Sequence, residues 1–284
     1  MKRLDHGYIK VIEHWGSDER IIEAARMSVN RGFLGWEPGP CPDCEGIGRI
    51  LQEVDDPATE TRQVQISPIA LVLEPEPSTK WINTACPSCD GKGTIKGDKH
   101  LLSFLWKNGH ATPFEMAGAI IEVKAPIMVF REWHRHRTQG YNEMSARYTP
   151  LPDENYVPTI DRLLLNSKTN KQAGVITGAA ELTPEVALEY QARLAEMYVN
   201  QQALYEWALA SGVPKELARL HLGVGRYSKM RATAVLRNWL GFLSLRLPSN
   251  AQWEIRQFAE GLHDQLQDIF PRTMGLFDET RKAA

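Results

Sequence analysis

Apolar and polar residues alternate through GYIKVIEHW at 7–15, the period of a half-buried strand. Ser17 then offers an N-cap, with Asp18 and Glu19 in the first turn of a helix that continues through IIEAARMS at 21–28. Helical spacing returns in DKHLLSFLWKNGH at 98–110, and GAIIEVKAP at 118–126 reads as a second strand. Pro126 suits the first helical position of PIMVFREWHRHR at 126–137, whose apolar residues run into a dense basic cluster. Residues 138–182 read mostly as loop, with NSKTNKQAG as the most flexible part. Thr183, Pro184 and Glu185 mark the start of a long helix over about 184–210, and another helix starts near Pro214. RYSKMRATAV at 226–235 reads as a strand and LRNWLGFLSLR at 236–246 as a helix. Ser249 and Gln252 form a capping box for a helix over about 250–268. The mixture predicts an α+β fold in which helices flank a small sheet.

One stretch breaks this pattern. Residues 37–97 open on Pro38, Gly39 and Pro40 and hold all four cysteines of the chain, Cys41, Cys44, Cys86 and Cys89. Between the cysteine pairs, RQVQIS and ALVLE have the alternation or β-branched content of strands, and EPEPSTK reads as a linker. The segment is expected to be an insertion, with residues 1–36 and 98–284 forming the main domain.

Composition narrows the reading. A chain of 284 residues with 43% hydrophobic content can bury a core, and a net charge of −2 excludes a general polyanion binder, so any basic site is local. There is no run of 18 apolar residues, and the charged N-terminus MKRLDHGYIK lacks the apolar core of a signal peptide, which predicts a cytoplasmic protein. In a reducing compartment, paired CxxC motifs argue for metal rather than disulfides. CPDCEGIG at 41–48 and CPSCDGKG at 86–93 both fit CxxCxGxG and resemble the zinc knuckles of DnaJ-type cysteine-rich domains. Four thiolates suit tetrahedral Zn²⁺ in a structural role, provided the intervening hairpin brings the knuckles together; a redox dithiol and an iron site are the alternatives.

The densest chemistry lies in RHRTQGYNEMSARY at 135–148. Arginine forks, a serine hydroxyl and backbone N–H groups suit an anionic ligand, while Glu143 can orient a cation or accept from a ligand. Taken alone, such a run also fits a solvated basic loop or a nucleic-acid patch. Its order, however, resembles the RHRxxSxNExSxRY motif of flavin-dependent thymidylate synthases, with Gly140 in place of the first serine. HATPFE at 110–115, AARMS at 24–28, ELAR at 216–219 and LRLPSNAQWEI at 245–255 resemble further segments of that family. The resemblance covers about 7–36 and 98–275.

The resemblance implies a homotetramer with shared active sites and a small, mostly antiparallel sheet flanked by helices. It further implies conversion of dUMP to dTMP with FAD, NADPH and methylenetetrahydrofolate, without a cysteine nucleophile, and predicts neither a membrane nor a nucleic-acid partner. By resemblance, FAD meets Ser28, His110, Thr112, Arg135, His136, Arg137, Glu143, Val235, Leu236, Arg237 and Gly241. The nucleotide meets Glu132, Arg135, Glu143, Met144, Ser145, Ala146, Arg147, Arg219 and Arg246, and Arg246 is the catalytic residue that assists ionisation of the pyrimidine. Arg147 and Arg219 suit a phosphate clamp, and Arg246 suits charge that develops on the ring. Gly140, Gly241 and Asn250 depart from the family pattern. Two other readings remain: hydroxymethylation of dUMP on the same scaffold, and a zinc-ribbon binding protein with a decayed enzyme core.

Overall fold

The computed structural model describes residues 2–55, 61–67, 70–75, 79–165 and 174–283. All but Gly174 of the NSKTNKQAG segment, and part of EPEPSTK, lie outside the described residues. In chain order the elements are β1 (Lys2–Arg3), β2 (Gly7–Trp15), α1 (Asp18–Arg26), β3 (Gly39–Pro40), β4 (Arg49–Asp55), β5 (Thr61–Ser67), β6 (Ala70–Pro75), β7 (Thr79–Ala85), β8 (Thr94–Ile95), α2 (Asp98–Lys107), β9 (Gly118–Pro126), α3 (Ile127–Trp133), β10 (Gly140–Glu143), α4 (Ile160–Leu164), α5 (Pro184–Ala210), α6 (Lys215–Ala218), β11 (Tyr227–Val235), α7 (Leu236–Arg246), α8 (Trp253–Ile269) and α9 (Pro271–Ala283). The chain divides into two compact units, residues 1–21 with 110–284, and residues 22–109.

The first unit is α+β. Its sheet runs β1-β2-β9-β11-β10, and every neighbouring pair is antiparallel. Alternation sets its two faces. Ile9, Ile121, Val123, Ala125, Met230 and Ala232 are buried, together with Phe130 and Trp133 of α3, Trp239 and Phe242 of α7, and Phe258 and Leu262 of α8. On the opposite alternation, Glu122 accepts from the Tyr8 hydroxyl at 2.8 Å and pairs with Lys10 and Arg231 at 3.2 and 3.4 Å. Asp18, nearly fully buried, ties the start of the chain to α9. Its carboxylate accepts from the N–H groups of Arg272 at 2.8 Å and Thr273 at 3.2 Å, and from the Thr273 hydroxyl at 2.6 Å. These N–H groups are orphan donors of the first turn of α9, so Asp18 acts as its cap from far away in the chain.

The second unit, residues 22–109, is built from short pairings. β3 pairs with β8, β4 with β7 and β5 with β6, each antiparallel. RQVQIS and ALVLE are indeed strands. Buried Asp98 opens α2, accepts from Arg26 Nε at 2.9 Å and from the Leu34 N–H at 2.8 Å, and so fastens the end of α1 to the segment that leads into the first cysteine pair.

Several local expectations change. Pro126 ends β9 and caps α3 rather than occupying its first turn. The helix of 126–137 stops at Trp133, which leaves Arg135–Arg137 in the turn beyond it. Residues 138–182 hold a strand, β10, because β11 supplies its ladder partners from Met230 to Thr233. The helix near Pro214 is only the four-residue α6. Gln252 is the N-cap of α8 with no side-chain bond, and Ser249 instead offers its carbonyl to Arg256 Nη1 at 3.3 Å. Thr183 caps α5 as its sequence suggests, accepting from the Val186 N–H at 3.4 Å. No helix among the described residues is long and apolar enough to cross a membrane.

Candidate active site and a four-cysteine cluster

The site of the first unit is organised by one buried aromatic anchor. Trp133, the last residue of α3, is fully buried, stacks on Phe242 of α7 at 4.5 Å and donates from Nε1 to the Gln139 Oε1 at 3.0 Å. The turn between α3 and β10 is thereby pinned at both ends. Tyr141 closes it from the strand side, donating to the carbonyls of Trp133 at 3.2 Å and His136 at 2.5 Å. Burial pushes the Tyr141 hydroxyl up to about 12, so it remains a donor at neutral pH.

Within this turn the basic residues separate into two kinds. Arg246, at the end of α7, is mostly buried and fully engaged. It donates from Nε to His136 Nε2 at 2.9 Å, from Nη1 to a Glu132 carboxylate oxygen at 3.0 Å and from Nη2 to the Glu132 carbonyl at 3.0 Å. Desolvation, followed by the positive charge of Arg246, depresses the His136 imidazole to about 4. The ring is therefore neutral at pH 7, with its lone pair on Nε2. Arg135 and Arg137, on either side of His136, are exposed, and their guanidinium groups have no partner among the described residues. The half-buried Glu143 carboxylate on β10 is likewise unpaired among them.

The other expected positions fall as follows. Ala146 is buried, and the Met144 N–H is bonded to the Lys229 carbonyl at 2.8 Å. The Ser145 hydroxyl accepts from the Arg147 N–H at 3.3 Å. Arg147 Nε lies 3.4 Å from the Glu216 carboxylate, and Arg219 Nε donates to the Glu216 carbonyl at 3.4 Å, so both expected clamp residues meet at one glutamate. Leu236 is fully buried with its N–H on the Ala117 carbonyl at 2.7 Å, while Arg237 next to it pairs with Glu115. Val235 is the N-cap of α7. Thr112 opens a single tight turn, Thr112–Glu115, just after His110. A side chain at Gly241 would meet nothing within 4 Å, whereas one at Gly140 would press on the Thr233 methyl at 3.1 Å. Ser28 belongs to the second unit, where its hydroxyl donates to the Ala25 carbonyl at 3.0 Å. Sequence reasoning missed Tyr141, Glu115 and Glu216 as partners. All three lie inside motifs, but their targets are fixed only by the folded chain.

In the second unit the four cysteines converge. All are buried, their sulfur atoms lie within 4.8 Å of one another, and Sγ–Sγ distances are 3.9 Å for Cys41–Cys86 and 3.8 Å for Cys44–Cys89. The two knuckles make matching hydrogen bonds. The Gly48 N–H donates to Cys44 Sγ at 3.1 Å and the Gly93 N–H to Cys89 Sγ at 3.2 Å. Across the pair, the Cys41 N–H meets the Gly93 carbonyl and the Cys86 N–H the Gly48 carbonyl, each at 2.8 Å. Gly48 and Gly93 have φ of +81° and +73°, and a side chain on either would fall on the opposing knuckle's backbone.

The family model described as thymidylate synthase complementing protein matches residues 10–272. A flavin-dependent thymidylate synthase of Thermus thermophilus is 38% identical over 276 residues, 97% of this chain and 77% of that protein. That of Wolbachia pipientis wMel is 30% identical over 282 residues, 98% of this chain and 76% of that protein. Among solved structures, a UMP/dUMP methylase, PolB of Streptomyces cacaoi, bound with 5-Br UMP, has the same fold at a TM-score of 0.66. It is 24% identical, with 98% of this chain and 95% of that one covered.

Proposed function

The chain belongs to the family of flavin-dependent thymidylate synthases, and we propose that it methylates dUMP to dTMP using FAD, NADPH and methylenetetrahydrofolate. The observation that carries this reading is the division of labour among its cations. Arg135 and Arg137 stand exposed, without a guanidinium partner among the described residues, on a turn fixed by Trp133 and Tyr141, while Arg246 is committed to Glu132 and neutral His136. Two guanidinium groups and the Glu143 carboxylate, none with a partner among the described residues, fit a ligand that carries both a pyrophosphate and polar ring edges, as FAD does. When bound, FAD supplies the reducing equivalents that complete the methyl group.

The residues of the chain supply binding and charge. Arg147 and Arg219 clamp the dianionic phosphate of dUMP, with the Ser145 hydroxyl, which accepts from the Arg147 N–H, beside them. Arg246 stabilises negative charge on the uracil ring, which makes C5 nucleophilic without a covalent bond from the enzyme. His136 leaves the positive charge of Arg246 undiminished because it is neutral, and Glu132 orients the guanidinium. All four cysteines belong to the knuckles, so none is available to attack C6. We read that cluster as a Zn²⁺ site with no part in the reaction. The active enzyme is a homotetramer in this reading, supported by α5, which leaves Leu188, Val199 and Trp207 exposed along a helix of 27 residues.

Product analysis tests the proposal. Incubation with dUMP, methylenetetrahydrofolate and NADPH is expected to give dTMP by mass, and 5-fluoro-dUMP is expected to form no adduct with any cysteine. A hydroxymethylated nucleotide, or a cysteine adduct, would overturn it.

A further inference from the structure

Building on the reading of Cys41, Cys44, Cys86 and Cys89 as a Zn²⁺ site, we propose that the metal is the folding core of the ribbon formed by residues 39–55 and 79–95. In this proposal the ribbon exists as a structure only when loaded.

The donor set fits the ion. Zn–S bonds of about 2.3 Å in a regular tetrahedron place sulfur atoms about 3.8 Å apart. The two cross-knuckle pairs stand at 3.9 and 3.8 Å, and no pair exceeds 4.8 Å. Four protein thiolates complete the coordination shell, so the geometry is that of a structural site rather than one that binds substrate.

The ribbon has little apolar burial of its own. Its buried cluster consists of the four cysteines, with only Ile50 and Ile95 packed partly buried against them. The larger apolar side chains point elsewhere: Ile47, Leu51 and Trp81 are 75%, 67% and 65% exposed. A segment of this size with so little apolar burial does not offset its ordering entropy, and a metal is one of the few devices that makes up the difference. Where no preformed site exists in the unfolded chain, the free energy of metal binding is folding free energy.

The two knuckles also interlock. Each knuckle depends on the other: Cys41 N–H on Gly93, Cys86 N–H on Gly48. Each also lends one N–H to a sulfur, from Gly48 to Cys44 and from Gly93 to Cys89, bonds that strengthen once the sulfurs are ionised. Neither knuckle is complete alone, so closure is a single cooperative event. The ligand pairs are far apart in sequence, and two ladders among the described residues flank them, β3 with β8 and β4 with β7; the longer is β4 with β7, in register from Arg49↔Ala85 to Asp55↔Thr79. In the absence of the ion that ladder has no buried face to hold it.

The test uses the full-length protein, purified anaerobically with zinc supplied. Metal analysis and X-ray absorption are expected to give one zinc per chain with four sulfur neighbours. The metal is then removed with a strong chelator, and amide hydrogen exchange is compared before and after. Exchange within 39–55 and 79–95 is expected to rise at least about tenfold, while β9, β11 and α8 keep their protection, and added zinc restores the original pattern. Gly48→Ala, which keeps all four thiols but obstructs closure, is expected to lower zinc retention. A protein that holds one zinc yet keeps the ribbon's protection after stripping would overturn the folding proposal and leave the zinc reading intact. Absence of zinc, or iron in the four-sulfur site, would overturn the zinc reading itself.

Discussion

The guanidinium of Arg246 donates from Nε to His136 Nε2 at 2.9 Å, so the histidine serves as an acceptor toward the cation it holds. This fixes the imidazole as the tautomer with its proton on Nδ1. A charged His136 would place two like charges in hydrogen-bond contact, and both burial and Arg246 hold its pKa down to about 4, with Glu132 opposing them weakly.

The tautomer is directly observable. Nitrogen chemical shifts of His136 at pH 7 are expected to show Nε2 unprotonated, with titration only near pH 4. The folded pKa lies below the unfolded value of about 6.5, so the unfolded chain binds the extra proton first. This contact therefore contributes stability that is present above that value and is lost as pH falls toward 4. Titration of His136 near its unfolded value in the folded protein would contradict the assignment.

Arg246→Ala is expected to lower turnover by about 10²–10³, the usual cost of losing one preorganised electrostatic contact, while flavin stays bound. The check is a split readout, kcat against flavin occupancy by absorbance. Near-normal turnover would remove Arg246 from the chemistry.

Arg135→Ala and Arg137→Ala should behave in the opposite way. Neither guanidinium has a partner among the described residues, so stability should change by less than about 0.5 kcal/mol. Flavin binding, measured by titration of stripped protein, should weaken for each. A large fall in thermal midpoint without loss of flavin affinity would assign these residues to the fold instead.

Asp18→Ala is a purely structural test. It deprives the first turn of α9 and the Thr273 hydroxyl of their acceptor inside a buried site, and is expected to cost about 1–3 kcal/mol. Urea denaturation followed by circular dichroism would measure it, and an unchanged midpoint would show that water replaces the carboxylate.

What the sequence made legible was local. The strand at 7–15 and the helix at 236–246 carry their own periodicity, and the cysteine pairs carry their own spacing. β10 was not legible because GYNE has no apolar face of its own and is a strand only through β11. The helix of 126–137 was read too long, since nothing in RHR itself signals that Trp133 turns inward to Phe242 and ends the helix. The motifs supply candidate residues for the site, yet the pairing among those residues was not legible. That Arg246 is committed while Arg135 has no side-chain partner among the described residues depends, for Arg246, on residues more than a hundred positions away.

The position of β10 also bears on how such a site can diverge. As the margin of the five-stranded sheet it bonds to β11 alone, and its first residue, Gly140, would touch only Thr233 if it gained a side chain. The core-facing strands β9 and β11 answer to neighbours on both sides, so a change there must be matched by several others. A change at Gly140 needs accommodation from a single methyl group on an exposed residue. The edge of the sheet can therefore change one residue at a time while the strands beneath keep their ladders.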